Sequence, residues 1–208
     1  MPERSHTRLN PPERREQIII AATKIISDKG YWGFSVRQVA EACGLTEPAV
    51  IYHFKNKVGL FIAVLEHRDT EDMTAFANSL GVSPDEIWSG KVKFGLWQIS
   101  NALMARNATQ PEIIRLYTVL QAESLSTGHP AHDYYLKREQ RVMLTLTQAA
   151  QRDNIANPVR EARTVLSMMD GLQLRWLEDS ESFDLLQEWK AFAKSRWGQT
   201  TKSSDLSQ

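Results

Sequence analysis

The sequence predicts an all-α protein, and three observations support that fold class. Strand-type alternation of apolar and polar residues is almost absent, apolar residues recur at helical spacing, and most predicted helices begin at a recognisable N-cap. Hydrophobic residues make up 42% of the 208 residues and the mean hydropathy is −0.40, which excludes a disordered chain and a membrane span. This length allows one large helical domain, or a small domain followed by a larger one.

The first two predicted helices have clear boundary signals. Asn10-Pro11-Pro12-Glu13 supplies an N-cap, prolines in the first turn and a returning acid, and Gly30 stands beyond the predicted end of this helix. Ser35, followed three residues later by Gln38, opens a second helix that closes at Gly44.

The third and fourth predicted helices differ greatly in length. Thr46 caps a segment that ends near His53, and Asn56 caps a helix that reaches to about Leu80. Isolated helices shorter than roughly 12 residues are marginal in water, so the third helix needs packing against other elements.

Beyond residue 81 the predicted helices become longer. They are expected at residues 83–106, 111–124, 131–152, 158–178 and 183–197. This change predicts two domains, 1–56 and 57–198, followed by a disordered polar tail at 199–208.

Charge and cysteine content narrow the class further. The net charge is zero, but residues 1–57 contain nine Lys/Arg against six Asp/Glu. Such a surplus is weak evidence for a nucleic-acid partner, and an ordinary solvated surface explains it equally well. The single cysteine, Cys43, excludes an internal disulfide and a cysteine-rich metal site. Together with an N-terminus that lacks a leader pattern, it predicts a cytosolic protein.

The second and third helices, joined through Gly44 and Leu45, match the helix-turn-helix. In that motif the first helix braces a second, whose N-terminal residues enter the major groove of DNA. Residues at helical spacing give the pair an apolar side, namely Val36, Val39, Ala40 and Val50. Residues of the first long helix can cover that side, namely Ile18, Ala22, Ile25 and Ile26.

The segment FSVRQVAEACGLTEPAVIYHFKNKVGLF, residues 34–61, resembles the DNA-binding segment of TetR-family transcriptional regulators. The motif resemblance covers residues 12–68. It implies an N-terminal three-helix helix-turn-helix DNA-binding domain followed by a larger helical ligand-binding and dimerisation domain. It also implies DNA contacts from Ser35, Arg37, Thr46, Glu47, Ala49, Tyr52, His53 and Lys57.

Some positions depart from the family pattern. Glu47 stands where lysine is frequent, Pro48 where glycine is frequent, and Ile51 where tyrosine is common. Pro48 has no N–H to donate and Ile51 lacks a hydroxyl, so the departures are expected to change specificity rather than the fold. Cys43 occupies an alanine-like site and is interpreted as a small core residue, with a redox role as the alternative.

The charged residues around the third helix have two interpretations. Lys55 and Lys57 lie beside an aromatic run at a helix N-terminus. This position favours phosphate contact over simple solvation for Lys57 and leaves both interpretations open for Lys55. Glu47 either complements the helix dipole or accepts a hydrogen bond from a cytosine amino group.

The sequence gives little support for catalysis or cofactor binding. The sequence contains no G-x-S-x-G, P-loop, H-E-x-x-H or G-x-G-x-x-G motif. His129 and His132 form an H-x-x-H with Asp133 as the available third ligand, and a cap with a packed imidazole explains them better than a metal does. We expect no enzyme activity, no cofactor and no metal.

Two long helices near the C-terminus predict self-association. The stretch EARTVLSMMDGLQLRWL, residues 161–177, is apolar on two faces, as in a helix that is buried in a large core or shared with a partner. With the preceding helix it suits a two-fold four-helix interface. The predicted interface residues are Leu136, Val142, Met143, Leu146, Val165, Met169, Leu172 and Trp176.

Aromatic and methionine residues of the larger domain predict a ligand site, although ordinary core packing explains them nearly as well. The predicted ligand-binding residues are Trp88, Phe94, Trp97, Met104, Tyr117 and Trp176. Clustered charge is absent from the stretches around Trp97 and Tyr117, so a largely apolar ligand is expected.

These predictions combine into one functional hypothesis. A cytoplasmic TetR-like repressor binds a palindromic double-stranded DNA operator as a homodimer, and a small-molecule effector releases the repressor from the operator. No membrane partner is expected. The helix that begins after Asn56 is the expected lever between the domains. The alternatives are a ligand-insensitive architectural DNA-binding protein and a helical ligand-binding protein with a vestigial DNA-binding domain.

Overall fold

A computed structural model of the chain describes residues 10–89 and 93–198. The helices in these ranges are α1 Pro11–Gly33, α2 Val36–Cys43, α3 Glu47–Phe54, α4 Lys57–Ser79, α5 Pro84–Trp88, α6 Leu96–Asn107, α7 Pro111–Glu123, α8 His132–Arg152, α9 Pro158–Glu178 and α10 Leu185–Trp197. The described ranges contain no β-strand, and the predicted all-α class is confirmed. None of these helices is long and apolar enough to cross a membrane.

The first helix begins as predicted and bends near its end. Asn10 and Glu13 form a capping box, with N–H to oxygen distances of 2.9 and 3.0 Å. Gly30 has φ 66° and ψ −177°, so the predicted end of the helix is a kink, after which helical structure resumes to Gly33. The kink frees the N–H of Tyr31, which donates to the Glu123 carboxylate at 2.8 Å.

The turn between α2 and α3 follows the predicted signals. Ser35 and Gln38 form a capping box at the start of α2. Gly44 is left-handed, with φ 66° and ψ 32°, and the N–H of Leu45 bonds to the carbonyl of Ala40 at 2.8 Å. Thr46 is the N-cap of α3, but its side chain makes no capping hydrogen bond.

The joint between α3 and α4 is unusually close. Asn56 caps α4 by accepting a hydrogen bond from the N–H of Gly59 at 2.8 Å. A Cβ on Gly59 would lie 2.1 Å from the carbonyl oxygen of Phe54, so the approach of the two helices requires glycine. This joint fixes the direction in which α4 leaves the helix-turn-helix.

The single helix expected at residues 83–106 is instead two helices, α5 and α6. Ser83 opens α5 with a capping box, at the residue where the predicted helix begins. Gly95 opens α6, where the N–H of Leu96 donates to the Asp153 carboxylate at 2.7 Å. A Cβ on Gly95 would lie 2.1 Å from Asp153 Oδ1, so this helix start depends on a residue 57 positions away.

Two apolar cores organise the described chain, and α4 contributes to both. The first core joins α1, α2, α3 and the start of α4 to Leu116 and Leu120 of α7. The second joins the end of α4, at Phe76 and Ala77, to α5, α6, α8, α9 and α10. The first core therefore extends past the predicted domain boundary at residue 56. The tail predicted at 199–208 lies outside the described residues.

Candidate nucleic-acid interface and ligand cavity

The third helix is held by the core beneath it. Val50 and Phe54 are its buried residues, and both belong to the same core cluster as Val39 of α2 and Ile18 of α1. Packing therefore stabilises a helix of eight residues that would be marginal alone. Cys43 belongs to this core as well, and burial raises the pKa of its thiol, in keeping with a structural role.

The opposite face of α3 is open. Thr46 and Glu47 are exposed, and 86% of Tyr52 is exposed, whereas Ala49 and His53 are half-buried. Tyr52 and His53 make edge-on ring contact at a centroid distance of 5.4 Å. These five side chains were predicted to contact DNA, and the structure brings them together on one short helix. Their contacts with DNA stay a prediction.

The two predicted contacts from the α2 start have other partners in the free protein. The exposed guanidinium of Arg37 pairs with Glu41 one turn away, with Nε 2.8 Å from Oε1. The hydroxyl of Ser35 accepts the capping hydrogen bond from Gln38. Arg37 can reach a phosphate by exchanging an exposed ion pair, which is worth little in water.

The two lysines that follow α3 occupy different environments. Lys55 is exposed and has a positive φ of 69° at the C-cap of α3. The ammonium of Lys57 lies over the rings of Tyr31 and Phe34, 4.5 and 4.6 Å from their centroids. Burial lowers the pKa of Lys57, although the nearby Glu123 carboxylate favours its charged form. A phosphate contact by Lys57 therefore requires its ammonium to leave these rings.

The predicted histidine pair supports the turn between α7 and α8. His129 is buried, its Nδ1 accepts from the N–H of Ala131 at 3.2 Å, and its Nε2 lies 3.6 Å from Glu123 Oε2. Burial lowers the pKa of His129, against an opposing effect of Glu123. The ring of His132 bonds to the carbonyl of Ser124 at 2.8 Å. Within the described ranges, no group of three or more His, Cys, Asp or Glu could hold a metal ion.

A cavity of about 480 Å³ lies among α4, α6, α7, α8 and α9. This volume falls within the range of roughly 300 to 1,000 Å³ that small-molecule sites occupy. Apolar side chains dominate one part of the wall, among them Leu103, Ile114, Val142, Leu146, Leu166 and Met169. Two of the lining residues are exposed, Arg141 of α8 and Leu174 of α9.

A network of ion pairs borders the same cavity. Local sequence patterns did not predict this network. Asp69 lies 3.2 Å from Arg138 Nε and 3.1 Å from Arg141 Nη2, and it accepts from the Tyr117 hydroxyl at 2.9 Å. Asp72 accepts from Arg106 Nη2 at 2.6 Å. These partners are separated by 34 to 72 positions in the chain, so no local pattern could have revealed them.

The predicted ligand-binding residues are scattered. Tyr117 lines the cavity, whereas Phe94, Trp97, Met104 and Trp176 are absent from its wall. Met104 is fully buried in the second core, and Phe94 and Trp176 pack against that core.

Trp97 lies in an aromatic cluster instead, where its ring stacks on Trp189 at 6.5 Å and an interplanar angle of 14°. The side chain of Trp88 lies outside the described part of the chain.

The predicted dimer residues divide between core and surface. Leu146, Val165 and Met169 are buried in the second core, which a single chain forms by itself. Val142, Met143, Leu172 and Trp176 are half-buried, and Leu136 is 48% exposed. Three further apolar residues of α8 and α9 are exposed, namely Leu144, Val159 and Leu174, of which Leu174 also lines the cavity.

Comparisons with known proteins agree with this architecture. The sequence model for bacterial regulatory proteins of the tetR family matches residues 18–64. The transcriptional regulator TtgR of Pseudomonas putida is 29% identical over 187 residues, covering 86% of this chain and 88% of that protein. The class C tetracycline repressor of Escherichia coli is 32% identical over 92 residues, covering 44% and 40% of the two chains.

A solved structure with a similar fold is NalD of Pseudomonas aeruginosa, described as the secondary repressor of the MexAB-OprM multidrug efflux pump. It superposes with a TM-score of 0.62 at 22% identity, over 89% of this chain and 96% of that one.

The short α2 and α3, their glycine turn and the helical body behind them define a helix-turn-helix regulator. Residues 18–64 carry the TetR-family sequence pattern that the resemblance implied, and the chain as a whole is similar to a transcriptional regulator in sequence and to a solved repressor in fold.

Proposed function

We propose that this chain is a repressor that binds a palindromic operator as a homodimer and leaves it when a small molecule occupies the cavity. The observation that carries the proposal is the open face of α3, which presents Thr46, Glu47 and Tyr52 above a core that α1 and α2 complete. In a helix-turn-helix such a face enters the major groove. The tetracycline repressor and NalD are both named as repressors, which supports repression rather than activation by this chain.

A two-fold dimer fits both DNA and the exposed surface. Two recognition helices must lie about 34 Å apart, one turn of DNA, to read a palindrome together. Helices α8 and α9 carry the exposed leucines Leu136, Leu144 and Leu174. Covering these side chains in a second copy would remove apolar surface from water.

The cavity and α4 support effector control. Asp69 and Asp72 lie on α4 and border the cavity, while Leu60 and Val64 of the same helix belong to the first core, which also holds α3. A ligand that changes how the cavity holds α4 therefore changes the position of α3. The ligand shifts this equilibrium only through its different affinities for the two arrangements.

We further propose a cytoplasmic location, because the operator is there, and no catalytic activity, since the curated relatives are transcriptional regulators. The experiment is selection of bound sequences from random double-stranded DNA, followed by fluorescence anisotropy on the enriched site. We expect a palindrome, two chains per site and salt-dependent affinity. Failure to enrich any sequence would favour the helical ligand-binding protein with a vestigial DNA-binding domain.

Release by small molecules separates the repressor from an architectural DNA-binding protein. A ligand library is screened for loss of anisotropy at the enriched operator, with Thr118→Trp as a variant that narrows the cavity beside Tyr117. We expect ligands that release the wild type and act less well on the variant. Operator binding that no cavity ligand alters would favour the architectural alternative.

A further inference from the structure

The ammonium of Lys57 lies on aromatic rings in the free protein rather than in open water. Its Nζ is 4.5 Å from the ring centroid of Tyr31 and 4.6 Å from that of Phe34. Lys57 is the first residue of α4, shortly after α3 ends, and it is half-buried. The face of each ring attracts a cation, so this arrangement gives the ammonium a defined position.

The carboxylate of Glu123 adds a negative charge at the same place. It accepts a hydrogen bond from the Tyr31 N–H at 2.8 Å, and it lies so close to Gly30 that a Cβ there would collide with it. Burial lowers the pKa of Lys57, and the negative charge of Glu123 opposes that shift. Tyr31 therefore brings together the cation, which lies on its ring, and the carboxylate, which binds its N–H.

The imidazole beside the same carboxylate is neutral at neutral pH. Nε2 of His129 lies 3.6 Å from Glu123 Oε2, and burial lowers the pKa of His129 below its ordinary value. The Glu123 side chain is 22% exposed, so water screens its charge only in part. At neutral pH Lys57 is therefore a cationic partner of Glu123, whereas His129 is not.

A DNA phosphate would compete with the rings and with Glu123 for this ammonium. Lys57 lies in the first turn of α4, where backbone N–H groups also favour an anion. On moving to a phosphate, the ammonium loses the attraction of the rings and of the carboxylate. The rings attract a cation whatever residue occupies position 123, so the effect of the Glu123 charge can be tested by itself.

We propose that Glu123 is a positioning residue for DNA binding: its carboxylate holds the Lys57 ammonium on the rings and so weakens the contact with a DNA phosphate. The inference rests on the proposed function, because it takes Lys57 as a phosphate contact. Glu123 is the last residue of α7, and Thr118 and Ala122 of that helix line the cavity. The hold on Lys57 is thus exerted from a wall of the ligand cavity.

Glu123→Gln tests the proposal, because glutamine removes the charge and keeps an oxygen that can accept the Tyr31 N–H. Binding of the full chain to a random-sequence DNA duplex is measured by fluorescence anisotropy at neutral pH and low salt, where phosphate contacts dominate. We expect the variant to bind about two- to fivefold more tightly, as for the loss of one partly exposed ion pair. Unchanged or weaker binding would overturn the proposal.

A double-mutant cycle with Lys57→Met shows whether the gain depends on Lys57. Methionine keeps a long apolar side chain on the rings without the ammonium, so Glu123→Gln should not change DNA affinity in that background. An equal gain in both backgrounds would show that Glu123 repels DNA without acting on Lys57, and would refute the positioning role. Glu112→Gln is the matched control, an exposed acid in the first turn of α7, and it should bind DNA as the wild type does.

Glu123→Asp separates the charge from the hydrogen bond. Aspartate keeps the charge, but its shorter side chain cannot keep the 2.8 Å contact with the Tyr31 N–H without movement of the helices. We expect its DNA affinity to lie nearer to that of the wild type than to that of Glu123→Gln. If aspartate raises DNA affinity as much as glutamine does, the lost contact between α1 and α7 is the cause and the proposal fails.

The positioning role and the proposed function can fail separately. A wild type that binds a selected operator, with no gain in Glu123→Gln, would retain the repressor and reject the role of Glu123. A wild type that binds neither the random duplex nor any selected sequence would reject both.

Discussion

The carboxylate of Glu123 accepts a hydrogen bond from the backbone N–H of Tyr31 at 2.8 Å, across 92 positions of the chain. Tyr31 follows the kink in α1, whereas Glu123 is the last residue of α7. Lys57 and His129 lie beside the same carboxylate. This contact connects the helix-turn-helix domain to α7, one of the helices that border the cavity.

Gly30→Ala should lower the free energy of unfolding by about 1 to 3 kcal/mol, because alanine strains a backbone at φ 66° and ψ −177°. A Cβ at this position would also lie 2.3 Å from Glu123 Oε1, so the contact with Tyr31 must shift. Chemical denaturation measures the loss. Gly128→Ala is the control, since the nearest atom to its added Cβ is 4.0 Å away, and an equal loss in both variants would contradict the assignment.

The buried His129 should make stability depend on pH. Its pKa is lowered by burial in the folded chain, so its contribution is complete above the ordinary value of about 6.5 and is lost as the pH falls below that value. Between pH 7 and pH 5 the wild type should lose more unfolding free energy than His129→Asn. Asparagine can keep the hydrogen bond from the Ala131 N–H. Identical profiles for the wild type and His129→Asn would show that the neighbouring Glu123 carboxylate cancels the effect of burial.

Lys57→Ala should weaken binding to all DNA sequences and reduce the slope of log affinity against log salt by about 0.9, the amount for one phosphate. It should also cost about 0.5 to 1 kcal/mol of stability, since the ammonium lies on Tyr31 and Phe34 in the free protein. Anisotropy over a salt series and denaturation measure the two effects. A stability loss with an unchanged slope would leave Lys57 a purely structural role.

Glu47→Gln should change base preference rather than overall affinity, because Glu47 is exposed in the first turn of α3, where side chains reach base edges. Repeating the DNA selection with the variant should give altered bases at one symmetric pair of positions. Glu112→Gln, an exposed acid at the start of α7, should select the wild-type site. Indistinguishable sites for all three proteins would place Glu47 away from the bases.

Leu144→Glu should yield monomers with poor operator affinity, because Leu144 is 55% exposed on α8 and a charge there opposes burial by a second copy. Sedimentation measures the change. Ile20→Glu is the control, an apolar residue 61% exposed on α1. Met169→Glu should instead unfold the chain, since Met169 lies in the second core, and a dimeric Leu144→Glu would move the interface elsewhere.

The sequence by itself determined the local features of this protein. The capping residues Asn10, Ser35 and Asn56 satisfy N–H groups within three positions, and Gly44 provides a left-handed turn that other residues adopt at a cost. Such interactions depend on near neighbours, so the pattern of residues reveals them. The helix-turn-helix follows from them, because its two short helices share one apolar side.

The tertiary structure alone decided the ligand cavity and the free surfaces. Whether Trp97 faces a cavity or stacks on Trp189, and whether Met169 lies in the core or at an interface, depends on helices far away in the chain. The start of α6 depends in the same way on Asp153. Helical periodicity shows that a face is apolar but gives no partner for that face. Long-range packing and ion pairing supplied the partners, and so decided which side chains reach the cavity.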